Sequence, residues 1–247
     1  MKPDGWIPNG CEGDSPERNH RSGPPRKVQV LEVLVFLFLI LPSLALSFTV
    51  SSETDLTFAS LAVATLLRDL ALVSLVLFFL WRNGEERAKI GWTFDHLGRE
   101  AAVGVGLFIP FSFAAGFLEK ILSQSGLSAP SRAALPSLLP SSSGELVLAF
   151  LLVVVVAVAE ETIFRGYLIL RFHAATKNMG AAVLLSVLVF SLGHGYEGTA
   201  GLLTVAMMGL VLALVYLWRR SLVAPMVMHF LQDFMVIIAA PFFTSLH

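Results

Sequence analysis

The sequence predicts an all-α fold, a polytopic transmembrane helix bundle of about seven spans, within a range of six to eight. Three observations predict it. Of the 247 residues, 55% are hydrophobic and only 14% are charged, against about 25% charged residues in an ordinary soluble domain. Mean hydropathy is +0.75. Apolar runs also recur at lengths that cross about 30 Å of hydrocarbon as helices.

In chain order, residues 1–27 are polar, charged and rich in Pro and Gly, and read as a disordered cytoplasmic tail. They lack the short apolar region and small-residue cleavage site of a signal peptide. The transmembrane domain follows over 28–247. Its spans are placed near 28–50, 57–81, 101–122, 145–172, 179–196, 201–218 and 221–244, the last interrupted by Pro225 and Pro241. The stretch 123–144 holds eight serines and three prolines and is expected to be an irregular, exposed loop. Orientation follows from the basic residues. Thirteen of the 17 Lys and Arg fall on the side of the N-terminus, and only Lys120 and Arg132 fall on the other. The N-terminus is therefore expected in the cytoplasm. A net charge of −1 leaves no basic surplus for a nucleic-acid partner. Cys11, the single cysteine, excludes an intramolecular disulfide and a Cys-rich metal site.

The charges that remain inside the spans carry the chemistry. Glu160-Glu161-Thr162-Ile163-Phe164-Arg165 follows directly on Leu146 to Ala159, a run without charge or proline. Each such charge costs about 2.5–3.5 kcal/mol on insertion scales, so a chain that keeps three uses them. Glu161 and Arg165 are four apart and share a helical face, whereas Glu160 is turned about 100° away. The first two are expected to pair, which leaves Glu160 free to act. Phe190 and His194 are four apart on the next span, and His229 and Asp233 are four apart on the last. At 1.5 Å per residue from the cytoplasmic ends, Glu160 and Asp233 lie roughly 18 Å deep, His194 about 24 Å and His229 about 12 Å. Four titratable groups on three helices thus reach the middle of the bilayer, within a catalytic core over about 145–244. Elsewhere, Glu32 is expected to snorkel to the cytoplasmic surface. Arg68 and Asp69, mid-span in the second helix, are expected to pair with each other or with a neighbour. Glu197 reads as a loop carboxylate near the outer mouth, and Gly201 and Gly209 as points of close helix packing.

These residue types suit hydrolysis. Two imidazoles and a carboxylate (His194, His229 and Glu160) can hold Zn²⁺ or another divalent metal with one position open for water. Alternatively, a Glu and a His deprotonate water directly, a carboxylate in apolar surroundings being the better base at neutral pH. The second imidazole and Asp233 then steady the oxyanion or the substrate. The His-Glu-x-x-His motif of soluble zinc proteases is absent. Taken one at a time, each group has a plainer reading: a structural ion pair, a hydrogen-bonded core histidine, a helical hydrogen bond. Their common depth is what favours a site.

Three motifs in this order resemble the CPBP family, the CAAX-protease and bacteriocin-processing intramembrane proteases, which includes the type 2 CAAX prenyl endopeptidase. The family's Glu-Glu-x-x-x-Arg is matched by Glu160, Glu161 and Arg165, its Phe-x-x-x-His by Phe190 and His194, and its His-x-x-x-Asn/Asp by His229 and Asp233. Ser221-Leu222-Val223-Ala224-Pro225 precedes the last motif in the family's usual style. The resemblance covers about 145–240. It implies an integral, multi-pass membrane protein, in the cell membrane if prokaryotic. The implied activity is that of an intramembrane endopeptidase acting on a membrane-associated protein or peptide within the lipid bilayer. By the same resemblance Glu160 and His194 activate water, His229 and Asp233 support the transition state, and Glu161 and Arg165 hold the architecture, with Phe190 a wall of the site. Asp233 stands where the prenyl endopeptidase has Asn, and a second carboxylate suits a metal better than a neutral oxyanion donor would. Metal-dependent and metal-free mechanisms both stay open. The rival reading is a non-catalytic immunity or scaffold protein that uses the same pocket for binding. A transporter would favour inverted repeats with broken helices, and the sequence has none.

Overall fold

A computed structural model of the protein describes residues 23–48, 57–128 and 139–239. Most of the expected tail, part of the serine-rich loop and the end of the last expected span, with Pro241, lie outside the described residues. Among those described, seven helical rods stand where seven spans were expected. They comprise α1 (Arg26–Ser47), α2 (Phe58–Arg82), α3 (Leu97–Gln124), α4 (Ser143–Glu160) continuing through a π-helical stretch (Glu161–Leu168) into α5 (Ile169–Thr176), then α6 (Met179–Leu192), α7 (Gly198–Arg219) and α8 (Val223–Asp233), which runs on as a second π-helical stretch (Phe234–Ala239). Five rods are long and apolar enough to cross a membrane, and two, Met179–Leu192 and Val223–Ala239, are shorter. The protein is a polytopic helical bundle and an integral membrane protein.

Local chemistry sets the helix ends. Thr57, Ser142 and Asn178 each accept a hydrogen bond from the backbone N–H three residues on, capping α2, α4 and α6. Lys177 and Arg220 close α5 and α7 in the left-handed region, at φ 58° and 54°. Large apolar side chains such as Phe38, Trp81, Phe113 and Trp218 face outward, as they should when the solvent is lipid. The main core gathers Phe36, Val76, Phe79, Leu80, Ile163, Tyr167 and Tyr216 among others, from α1, α2, the first π-helical stretch and α7. α3 lies against α8 so closely that a Cβ on Gly104 would stand 2.8 Å from the Ala224 carbonyl oxygen. A short 3₁₀ turn, Arg87–Ile90, seals the base of the first π-helical stretch. There the Trp92 indole N–H donates to Thr162 Oγ1 at 2.9 Å, and Leu222 N–H donates to the Gly91 carbonyl at 3.0 Å.

One cluster of charges lies at the end of the bundle where the sequence places the cytoplasm. Glu32 does not snorkel. It is buried, because four donors on other elements converge on its carboxylate: Arg82 Nη2 at 2.6 Å, Asn83 Nδ2 at 2.7 Å, Arg171 Nε at 3.0 Å and the Tyr167 hydroxyl at 3.1 Å. The other edge of the Arg171 guanidinium forms a two-point pair with Glu85, and Lys89 stands 3.7 Å from the same carboxylate. α1, α2, α5 and the loop after α2 are thereby tied together. Nearby, Arg219 Nε donates to Glu100 Oε2 at 2.9 Å, joining α7 to α3.

Candidate active site

The long rod Ser143–Thr176 has 34 residues, and Glu160 lies near its midpoint. Here the backbone leaves α-helical geometry. The sequence predicts an unbroken α-helix over 145–172, whereas Glu161–Leu168 is π-helical. Such one-residue expansions cluster at functional sites, because the wider turn re-aims its side chains. The carboxylates still separate as expected. Glu161 is fully buried, and its Oε1 lies 2.9 Å from Arg165 Nη1. That contact is electrostatic rather than an aligned hydrogen bond, since the Nη1 donors have no hydrogen-bond partner among the described residues. The Arg165 guanidinium lies over the Phe190 ring, 4.2 Å from its centroid, and reaches the Gly209 carbonyl at 3.4 Å. The expected structural pair is present.

Glu161 does more than pair. Its Oε1 accepts the Nδ1–H of His229 at 2.8 Å. A carboxylate beside a guanidinium accepts and cannot donate, so Nδ1 carries a proton and the ring plane is fixed. The other nitrogen, Nε2, then faces Glu160 Oε2 at 3.8 Å and Asp233 Oδ2 at 3.5 Å. Glu160, His229 and Asp233 are thus brought together from α4 and α8. Glu160 Oε2 has no hydrogen-bond partner among the described residues, and neither has Glu161 Oε2.

His194 occupies a different position from the one its sequence suggests. The span expected over 179–196 ends as a helix at Leu192, and His194 lies in the turn before the 3₁₀ segment Gly195–Glu197. Gly193 and Gly195, which flank it, are the sequence signal for that break. Its Nδ1 lies 3.1 Å from the Phe190 carbonyl oxygen. A carbonyl only accepts, so Nδ1 again carries the proton and Nε2 keeps its lone pair. Phe190 is the hub of the arrangement. Its ring meets His194 at 5.0 Å and His229 edge-on at 6.2 Å, and it carries Arg165 on its face. Asp233 lies within electrostatic reach of both His194 and Glu160. All seven predicted site residues therefore fall in one connected neighbourhood.

Three further residues, Arg68, Asp69 and Tyr196, approach the site without having been among its predicted residues. Arg68 Nη2 lies 4.0 Å from Glu160 Oε1, while its Nε donates to Asp69 Oδ1 at 2.8 Å. The mid-span position of Arg68 and Asp69 indicated that they pair with each other or with a neighbour, but did not name Glu160 as that neighbour. The Tyr196 ring packs near His194 at 6.0 Å and is electrostatically close to Glu160 and Asp233. As for a metal, among the described residues no three His, Cys, Asp or Glu side chains stand as a ready ligand cluster.

No curated protein and no solved structure gives a match to the chain. One family model does: Type II CAAX prenyl endopeptidase Rce1-like, over residues 142–235. That stretch opens at the serine that caps α4 and closes just past Asp233, so it encloses Glu160, Glu161, Arg165, Phe190, His194, His229 and Asp233. Arg68 and Asp69, which approach the site from α2, lie outside it. Over residues 142–235 the chain is thus similar to the Rce1-like family of type II CAAX prenyl endopeptidases.

Proposed function

We propose that this protein is an intramembrane endopeptidase that hydrolyses a peptide bond in a membrane-associated protein or peptide. The observation that carries the reading is a buried carboxylate oxygen, Glu160 Oε2, left without a hydrogen-bond partner 3.8 Å from an oriented imidazole. A charge stranded in this way costs several kcal/mol by general estimates, and a water or substrate group placed there would offset the cost. Glu160, with the free Nε2 of His194 as its helper, takes a proton from that water as the oxygen attacks the peptide carbonyl carbon. The carbonyl π electrons pass to oxygen. His229, held through Nδ1 by Glu161 and carrying a second proton on Nε2 beside the Glu160 and Asp233 carboxylates, donates from Nε2–H to the oxyanion. Collapse then breaks the C–N bond, and Glu160 returns the proton to the departing amine.

A divalent cation bound by Glu160, His194 and His229 would supply Lewis-acid polarisation of the water. The steps above need only the chain's own groups. Substrates compatible with the site include a CAAX-type prenylated C-terminus, a small leader peptide and a membrane-anchored regulator. The multi-pass arrangement with a cytoplasmic N-terminus, in the cell membrane if the source is prokaryotic, rests on the asymmetry of basic residues.

The test is cleavage of a fluorogenic peptide panel by detergent-purified protein, comparing wild type with Glu160→Gln and His194→Ala, with and without a zinc chelator. Turnover that both variants lose while remaining folded supports the reading, and loss on chelation assigns a metal-bound water. Binding of a peptide that survives in Glu160→Gln, with no cleavage by any form, favours a scaffold instead.

A further inference from the structure

We propose that Arg68 is a positioning residue for Glu160, its charge drawing one carboxylate oxygen toward α2 so that the other is turned to the reacting water. This rests on the reading of Glu160 as the base. The assignment follows from which cation is available to which carboxylate. Around Glu160, Arg165 is committed to Glu161, the Phe190 ring and the Gly209 carbonyl. His229 is committed through Nδ1 to Glu161. Arg68 is then the guanidinium left for Glu160 among the described residues, and it is aimed there. Nε donates to Asp69 Oδ1 at 2.8 Å, which fixes the plane of the fork, and Nη2 stands 4.0 Å from Glu160 Oε1.

The two oxygens of Glu160 therefore have different surroundings. Oε1 faces a cation, whereas Oε2 faces His229 and has no hydrogen-bond partner. The two oxygens are chemically equivalent, so what the charge contact restricts is the direction in which the carboxylate as a whole is turned. Asp69 has a part in this. It is buried, its second oxygen has no hydrogen-bond partner, and it contributes the contact that orients Arg68. The Arg68 side chain remains 41% exposed, so it is held by these two contacts rather than by packing.

The plainer account is that Arg68 and Asp69 only neutralise each other. A double variant, Arg68→Met with Asp69→Leu, separates the two accounts, because it removes both charges of the pair and leaves neither without the other. If the pair is merely structural, this variant folds and turns over normally. If Arg68 positions Glu160, it folds but kcat falls by about 10²-fold, the usual consequence of a misplaced catalytic group, while KM is unchanged. Arg68→Lys, which keeps a charge but loses the fork, should recover part of that kcat. Unchanged kcat, or a raised KM with kcat intact, overturns the proposal. The latter would mean that Arg68 contacts substrate instead.

Thermal unfolding of wild type, the double variant, Glu160→Gln and their combination provides a readout that needs no turnover. Shifts in Tm that fail to add support the contact between Arg68 and Glu160, and additive shifts overturn it. Non-additive shifts in a protein that cleaves nothing would refute the protease reading and leave the contact standing.

Discussion

Two groups of charges are buried in this bundle, and they are built on opposite principles. At the base, Glu32, Arg82, Asn83, Glu85, Tyr167 and Arg171 complete one another, and none of their side-chain atoms is among the buried polar atoms left without a hydrogen bond. At mid-membrane, Asp69, Glu160 and Glu161 each keep an oxygen without such a partner. The first group joins helices and has nothing left to offer. The second is underpaired where underpairing costs most, which accords with the proposed role of Glu160. Burial alone does not tell the two groups apart, whereas unused bonding capacity does.

Substitutions at the two sites should therefore behave differently. Glu160→Gln should lower kcat by on the order of 10²–10⁴-fold while Tm is held or raised, since it removes a buried charge with an unpartnered oxygen, both measured on the same purified sample. Arg171→Ala should do the reverse. Glu32 keeps Arg82, Asn83 and Tyr167, and Glu85 keeps Lys89 at 3.7 Å, so losing Arg171 should cost up to about 3–5 kcal/mol, read as a fall in Tm, with kcat per folded molecule unchanged. If Arg171→Ala instead spares stability and stops turnover, the two groups are not distinct. Arg165→Ala should show both effects, since it unpairs Glu161 and so loosens the anchor of His229. A stability loss of about 3–5 kcal/mol should be accompanied by reduced turnover in the surviving protein. The smallest effect is expected from Gly209→Ala. Its Cβ would stand 2.9 Å from a Phe190 ring carbon and 3.3 Å from Arg165 Nη2, so the hub must shift at a cost of about 1–3 kcal/mol. Turnover should fall more than Tm. An unaffected variant would mean that Phe190 is only filler.

The sequence made part of this comparison legible. Hydropathy located the rods because lipid demands apolar outer faces regardless of partner, and the spacing of Glu161 and Arg165 announced their pairing because both sit on one local turn. His194 came within reach through its link to Phe190, which is also local. What escaped depends on distant chain. Glu32 meets Arg171 across 139 residues, and Arg68 meets Glu160 from another rod, so no periodicity records either contact. Nor does local pattern record the anchoring of His229 by Glu161. The π-helical stretch escaped for another reason. Helical periodicity presumes a fixed turn, and Glu161–Leu168 departs from it without a proline or glycine pair to announce the change.

That stretch also explains how one rod serves two sites. In an unbroken α-helix, Glu160 and Arg171 would project in nearly the same direction, since eleven residues make about three whole turns. Each π-helical residue advances less than the α-helical 100°, so eight of them set the lower end back by roughly a third of a turn or more. The stretch thus acts as a phase shifter, letting the upper end address α2 and α8 while the lower end addresses α1. A one-residue deletion within 161–168 would restore a straight helix, and the rod could then keep step with one set of neighbours but not with both.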